Sequence, residues 1–261
     1  LKLAFVGASG RMGRALVRLA AAEGHEVVGA VVSSASAALG QDAGELAGIG
    51  ALGVLTSADV ASALLGADVV VDFSTPASLT RLAPLAARAG VPLVTGTTRL
   101  DAACEAALER ASAVIPVLSA PNTSLGVHLL AELLRTAVAK LGPGFDVEIV
   151  ETHHRAKLDA PSGTAVMLAA AVTEARAGLV VTAGRDGLVG PRKDDELGVH
   201  AVRGGDVIGD HQVFLLGPGE RIELTHRATH RDLFARGALR AARFVAGQGA
   251  GRYGMADVLR G

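Results

Sequence analysis

Short apolar runs alternate with amphipathic helical stretches through the first half of the chain, and a group of strand-like segments follows. Together these patterns predict an α/β fold, with a parallel sheet covered by helices first and a second α+β domain built on a mostly open sheet. A chain of 261 residues can bury two such cores. The first domain is placed at residues 1–124, completed by 232–261, and the second at 125–231.

The elements follow in order. Leu3–Val6, Val27–Val32, Val69–Phe73, Leu93–Thr95 and Val114–Leu118 read as buried strands. Arg11–Glu23 puts Met12, Ala15, Leu16, Leu19 and Ala20 on one helical face and stops at Gly24, a residue suited to the left-handed closing position. Pro76–Ala89 reads as another helix, preceded by Ser74-Thr75, with proline in its first turn and Gly90 at its end. Beyond Asn122 a long helix over Ser124–Leu141 leads to "FDVEIVETHH", whose alternation suits a strand with one exposed face. "GVHAVRGG", "HQVFLLG" and "ERIELTHRA" are further strands between glycine-rich turns, and Leu233–Gln248 reads as a helix that returns to the first domain.

Composition removes several function classes. Lys+Arg is 25 against Asp+Glu 26, so no broad basic surface is offered to nucleic acid. Aromatics make up 3% and tryptophan is absent, which leaves no base-stacking platform. Apolar runs such as "ADVVVDF" fall well short of the ~18 residues a membrane helix needs. Cys104 is alone, so neither an internal disulfide nor a paired-cysteine zinc spacing exists. "LKLAFVG" reads directly as a strand, with no basic segment or cleavage region before it. The expectation is a cytoplasmic protein that uses no metal and engages neither nucleic acid nor membrane.

"FVGASGRMGRALV" joins the first strand to the first helix, with Gly7, Gly10 and Gly13 in G-x-x-G-x-x-G spacing. An isolated glycine motif is often only a turn. Between a strand and a helix it reads as a Rossmann-type dinucleotide loop, in which glycine lets the backbone approach a pyrophosphate and the helix start supplies N–H donors. An acid about 20 residues on usually holds the ribose diol of NAD. Here Ser33-Ser34 take that place, with no acid between Glu26 and Asp42. Loss of that repulsion, with Arg11 able to face a 2′-phosphate, gives NADPH a mild preference over NADH. "DFSTP", "TGTT" and "SAPNTS" are each plausible helix caps. At one edge of one sheet, together, they form a cofactor groove.

"ETHHRAKLDAPSGTA", residues 151–165, concentrates titratable chemistry. His153 and His154 end a strand and, if it stays regular, point to opposite faces. Lys157 sits on the loop, and Ser162-Gly163-Thr164 opens a helix whose first N–H groups can meet an anion. The pattern suits a small carboxylate-bearing substrate beside a proton donor. Alternatives are capping by Asp159 or Ser162, a solvated basic face at Arg155 and Lys157, a packed histidine pair, or a metal site. The metal reading ranks lowest, since His226 and His230 in "THRATHR" lack a third ligand.

With "VGASGRMGR", "DFSTP", "TGTT", "APNTSLGV", "HHRAKLDAPSGTA" and "GERIELTHRA", the chain resembles the 4-hydroxy-tetrahydrodipicolinate reductase (dihydrodipicolinate reductase) family nearly end to end. The resemblance implies NAD(P)H-dependent reduction of (2S,4S)-4-hydroxy-2,3,4,5-tetrahydrodipicolinate to tetrahydrodipicolinate, with loss of water, in the diaminopimelate route to lysine. It implies that Gly7, Ala8, Ser9, Gly10, Arg11 and Met12 hold the pyrophosphate. Gly96, Thr97 and Thr98, with Ala120, Pro121, Asn122 and Thr123, would line the nicotinamide side. His153 and Lys157 would be catalytic, while His154, Gly163 and Thr164 would bind the carboxylates of a small dicarboxylate substrate. A homotetramer assembled through the second domain's sheet is also implied. The remaining alternatives are a related dehydrogenase for another small dicarboxylate and a sensor that binds NAD(P)H without turnover; the complete His-His-Lys cluster favours an enzyme.

Overall fold

The structure is a computed structural model that describes residues 1–261. It contains two compact units, Leu1–Ser124 with Asp232–Gly261, and Leu125–Arg231.

The first unit begins with strand β1 (Lys2–Val6), helix α1 (Arg11–Ala22) and strand β2 (Glu26–Val31). Short helices α2 (Ala43–Ala47) and α3 (Val60–Ala63) precede β3 (Val69–Asp72), α4 (Pro76–Ala89), β4 (Leu93–Thr95), α5 (Ala102–Ser112) and β5 (Pro116–Ser119). Local chemistry sets the ends of α4. The Thr75 hydroxyl accepts from the Ser78 N–H, Pro76 occupies the first turn, and Gly90 closes the helix at φ +68°. One expected strand was misplaced. Val114 and Ile115 belong to the turn that ends α5, both donating to the Ala111 carbonyl, so the strand starts at Pro116. The face of α1 is also rotated slightly from the expected one, burying Gly13 and Val17 with Leu16, Leu19 and Ala20.

The second unit opens with α6 (Leu125–Leu141) and continues through β6 (Asp146–His153), α7 (Gly163–Ala175), β7 (Val180–Thr182), β8 (Glu196–Arg203), β9 (Asp210–Gly217) and β10 (Glu220–Arg227). Its five-stranded sheet runs β10-β9-β6-β8-β7. Pairing is antiparallel between β10 and β9 and between β9 and β6, and parallel from β6 to β8 and from β8 to β7. Burial along β6 alternates as expected for a half-buried strand. Val147 and Ile149 pack with Leu134 of α6 and Leu168 of α7 in one apolar core.

The chain then returns to the first unit as α8 (Asp232–Val245), β11 (Gly251–Tyr253) and α9 (Met255–Arg260). The completed sheet is parallel throughout, in the order β11-β5-β4-β3-β1-β2. Strand order reverses between β1 and β3, which in open α/β sheets marks the crevice where ligands bind at the carboxyl ends.

Candidate active site

That crevice is a cleft of about 810 Å³, lined in part by Gly7, Ser9, Gly10, Ser33, Ser34 and Ser74. Its floor requires glycine. Gly7 has φ +82°, and a Cβ there would lie 2.4 Å from the Phe73 carbonyl oxygen. At Gly13 a Cβ would come within 2.2 Å of the Gly7 carbonyl oxygen, so α1 is seated directly on the loop. The N–H groups of Gly7 and Ala8 are spent on the Val31 carbonyl, each at 3.0 Å. Donors for an anion therefore come from the start of α1, whose first N–H groups have no partner within the helix. The bare loop, helix start and cleft size fit a dinucleotide. Arg11 is exposed at the start of α1 and does not line the cleft; the arginine that does is Arg81 of α4.

A buried acid ties the strand ends together. Asp72, 0% exposed at the end of β3, accepts from the hydroxyls of Ser74, Thr95 (2.8 Å) and Thr97 (2.7 Å). Burial raises its pKa against the pull of those donors. The Thr97 hydroxyl is thus committed to Asp72 and also accepts from the Ser74 N–H, while its own N–H donates to the Thr95 hydroxyl at 3.2 Å. Phe73 lies across Gly96, where a Cβ would meet the ring at 2.3 Å. Thr98 and Pro121 are exposed, Ala120 is buried, and the Asn122 side chain accepts from the Ser124 N–H at 2.8 Å. Thr123 is buried and donates to the Phe234 carbonyl on α8 at 2.7 Å, so its hydroxyl is tied to the helix.

In the second unit, β6 carries Glu151 and His153 on its buried face, while His154 follows half-exposed. His153 Nδ1 lies 2.6 Å from Glu151 Oε2. Arg203 of β8 forks onto both Glu151 oxygens at 2.8 Å, and the Ser162 N–H donates to Glu151 Oε1 at 2.9 Å. Burial would raise the Glu151 carboxyl, but Arg203, His153 and Ser162 outweigh it and hold the pKa below the ordinary value. The His153 ring is made less basic by burial, and Glu151 only partly restores it. His211 of β9 stacks edge-on against His153 with centroids 5.2 Å apart, and burial pushes its pKa down to about 4. Ser162 caps α7 by accepting from the Ala165 N–H, and its hydroxyl also meets His211 Nε2 at 3.2 Å. Gly163 starts α7 exposed, Thr164 follows, and Lys157 is paired with Asp159 at 2.8 and 2.9 Å.

Of the sequence-derived capping alternatives, Ser162 is the cap and Asp159 is not. Sequence reasoning missed Asp72, Glu151, Arg203 and His211. A period-two reading of β6 could have found Glu151, which shares a strand face with His153.

Fold and sites define the class: an α/β oxidoreductase with a dinucleotide-binding domain and a second domain carrying a Glu-His cluster at a helix start. Residues 1–123 match the family described as "Dihydrodipicolinate reductase, N-terminus" and residues 126–259 match "Dihydrodipicolinate reductase, C-terminus". The chain belongs to the dihydrodipicolinate reductase family. A 4-hydroxy-tetrahydrodipicolinate reductase of Anaeromyxobacter sp. (strain Fw109-5) is 52% identical over 97% of this chain and 95% of its own. One from Myxococcus xanthus (strain DK1622) is 47% identical over 99% and 97%. Among solved structures, the dipicolinate-bound dihydrodipicolinate reductase from Paenisporosarcina sp. TG-14 has TM-score 0.77 at 24% identity, covering 97% of each chain. An amine dehydrogenase from Mycobacterium smegmatis has TM-score 0.60 at 17% identity, covering 97% of this chain and 93% of its own. At these identities both structural likenesses speak to fold alone.

Proposed function

We propose that this protein reduces (2S,4S)-4-hydroxy-2,3,4,5-tetrahydrodipicolinate to tetrahydrodipicolinate, with loss of water, in the diaminopimelate route to lysine. The observation that carries the reading is the run of His153, His154 and Lys157 in the segment that leads into α7, in a chain 52% identical to a reductase of that name.

A nicotinamide dinucleotide, when bound, would supply the hydride. The loop from Gly7 to Met12 would hold its pyrophosphate, while Gly96, Thr97, Thr98 and the Ala120–Thr123 stretch would border the nicotinamide end. His154 and the Gly163-Thr164 segment hold the substrate's carboxylates, as the bare N–H groups at a helix start favour anions. A planar dicarboxylate, the chemical class of the dipicolinate bound in the Paenisporosarcina protein, is the ligand this reading expects. Lys157 offers a proton to the reduced ring, and His153, buried and ring-neutral, polarises or relays at the same place. Asp159 holds the Lys157 ammonium, a contact that a substrate carboxylate would replace.

NADPH is the slightly preferred coenzyme. Ser33 and Ser34 line the cleft where a ribose-binding acid would repel a 2′-phosphate, and Arg81 is a cation lining the same cleft. Asp59 lines it too, but its carboxylate accepts from the Ser62 N–H at the start of α3. A homotetramer is proposed through the second unit's sheet, where Val202 and Leu216 are exposed on the face turned away from the apolar core. A cytoplasmic setting is part of the same proposal; no helix is long and apolar enough to cross a membrane.

The test is coenzyme oxidation by the purified protein, with substrate generated in place by the aldol-condensing synthase that precedes it. Oxidation dependent on that substrate is expected with both coenzymes. Coenzyme binding without turnover would leave a sensor instead.

A further inference from the structure

Glu151 is an acid wholly removed from solvent, two residues before His153 on the same strand face. A buried carboxylate is costly unless paired and hydrogen-bonded, and this one has every side occupied. Oε1 receives Arg203 and the Ser162 N–H, at 2.8 and 2.9 Å. Oε2 receives Arg203 at 2.8 Å and faces His153 Nδ1 at 2.6 Å. Arg203 is itself held in place by donating to the Asp159 carbonyl at 2.6 Å. On the other side of the imidazole, a Cβ at Gly209 would stand 3.0 Å from Nε2, so the missing side chain there keeps that nitrogen clear. One ring nitrogen is locked and the other is left open.

We propose that Glu151, aimed by Arg203 and the Ser162 N–H, is a positioning residue that fixes His153 with its proton on Nδ1 and presents bare Nε2 as the working nitrogen. This rests on the proposed role of His153 as a proton-handling group. The ionisable groups facing the ring are Glu151 on its own strand, Arg203 from β8, His211 from β9 and Lys157 from the following loop, the last paired with Asp159. Only Glu151 accepts a hydrogen bond from Nδ1. Glu151→Gln leaves the shape but has a single oxygen, which Arg203 and the Ser162 N–H both seek. The amide NH₂ is thereby turned toward Nδ1, which must become the acceptor, and the ring proton moves to Nε2.

The experiment is ¹⁵N NMR of the histidine rings in the full-length, ligand-free protein, with His153 assigned by its disappearance in His153→Gln. The wild-type neutral ring is expected to be protonated on Nδ1, and Glu151→Gln to move the proton to Nε2. The same variant should lower kcat by about 10²-fold or more with little change in substrate KM. Wild-type His153 protonated on Nε2 overturns the proposal even if the variant does not fold, and so does an unchanged tautomer in a folded Glu151→Gln. Because the ring signals need neither coenzyme nor substrate, they stand apart from the turnover assay: a chain with the expected tautomer and no turnover would sink the reductase reading alone.

Discussion

At the scale of single residues, the proposed roles separate groups that would act from groups that hold. Lys157 carries a charge on a short loop, answered only by Asp159, so its removal disturbs no core. Lys157→Ala is expected to lower kcat by at least about 10²-fold, the lower range for losing a positioned general acid, with coenzyme affinity nearly unchanged. Near-wild-type kcat would place the proton source elsewhere. His154→Ala should mainly raise KM. Arg81 offers a different reading. If it meets the 2′-phosphate, Arg81→Ala should weaken adenosine 2′,5′-bisphosphate by roughly tenfold, the worth of one charge-assisted hydrogen bond, and leave 5′-AMP binding unchanged. Calorimetry with the two nucleotides decides this, and equal losses would return the choice to Ser33 and Ser34. The proposal of His153 and Lys157 comes from the sequence alone, because their residue types are rare and crowded there. Arg203, His211 and Asp72 could not be seen there, since their roles come from strands that meet only after folding.

At the scale of elements, the glycine loop and α1 form one joint. Gly13→Ala would drive a methyl to 2.2 Å from the Gly7 carbonyl oxygen, against backbone that cannot give way. Overpacking of this kind typically costs about 1–3 kcal/mol. Gly24, at φ +76° with open space around it, faces only the left-handed strain of about 1–2 kcal/mol in Gly24→Ala. The two variants should then differ in function: Gly13→Ala should lose coenzyme affinity as well as stability, and Gly24→Ala stability alone. Denaturant melts with coenzyme titrations check it. Strands, caps and the long helices were legible here because glycine, proline and threonine mark their ends. The start of β5 was not: Val114 and Ile115 are apolar like a strand, yet the Ala111 carbonyl of α5 claims both their N–H groups first.

For the whole molecule, acid should be the sensitive direction. His211 falls from the ordinary histidine value of 6.5 to about 4 in the folded state because burial disfavours its charge. Below pH 6.5 the unfolded chain therefore takes up a proton that the native ring refuses, and stability declines until about pH 4. Burial likewise lowers His153 and His226, adding losses of the same sign. Glu148 opens a second, lower window. Burial would raise it, but Arg185, His200 and Arg192 bring it from 4.5 to about 2, so its contribution is present above pH 4.5 and disappears toward pH 2. His211 alone is worth on the order of 3 kcal/mol at full protonation of the unfolded chain. His211→Gln should flatten the fall in unfolding free energy between pH 6.5 and 4 and leave the lower window intact; an unchanged slope would assign the upper window to other groups.

The return of the chain at Asp232 has a consequence for biogenesis. The first unit lacks α8 and the edge strand β11 until its final residues exist, although α8 packs against α1, β3 and β4. Leu125–Arg231 is continuous and has its own apolar core. Synthesis proceeds from the N-terminus at about 5–20 residues per second, and domains tend to fold as units. The part translated second is thus the first that can finish folding, while the earlier 124 residues wait with an open sheet edge. On stalled ribosomes, protease resistance should arise in the insert before it arises in the segment made ahead of it.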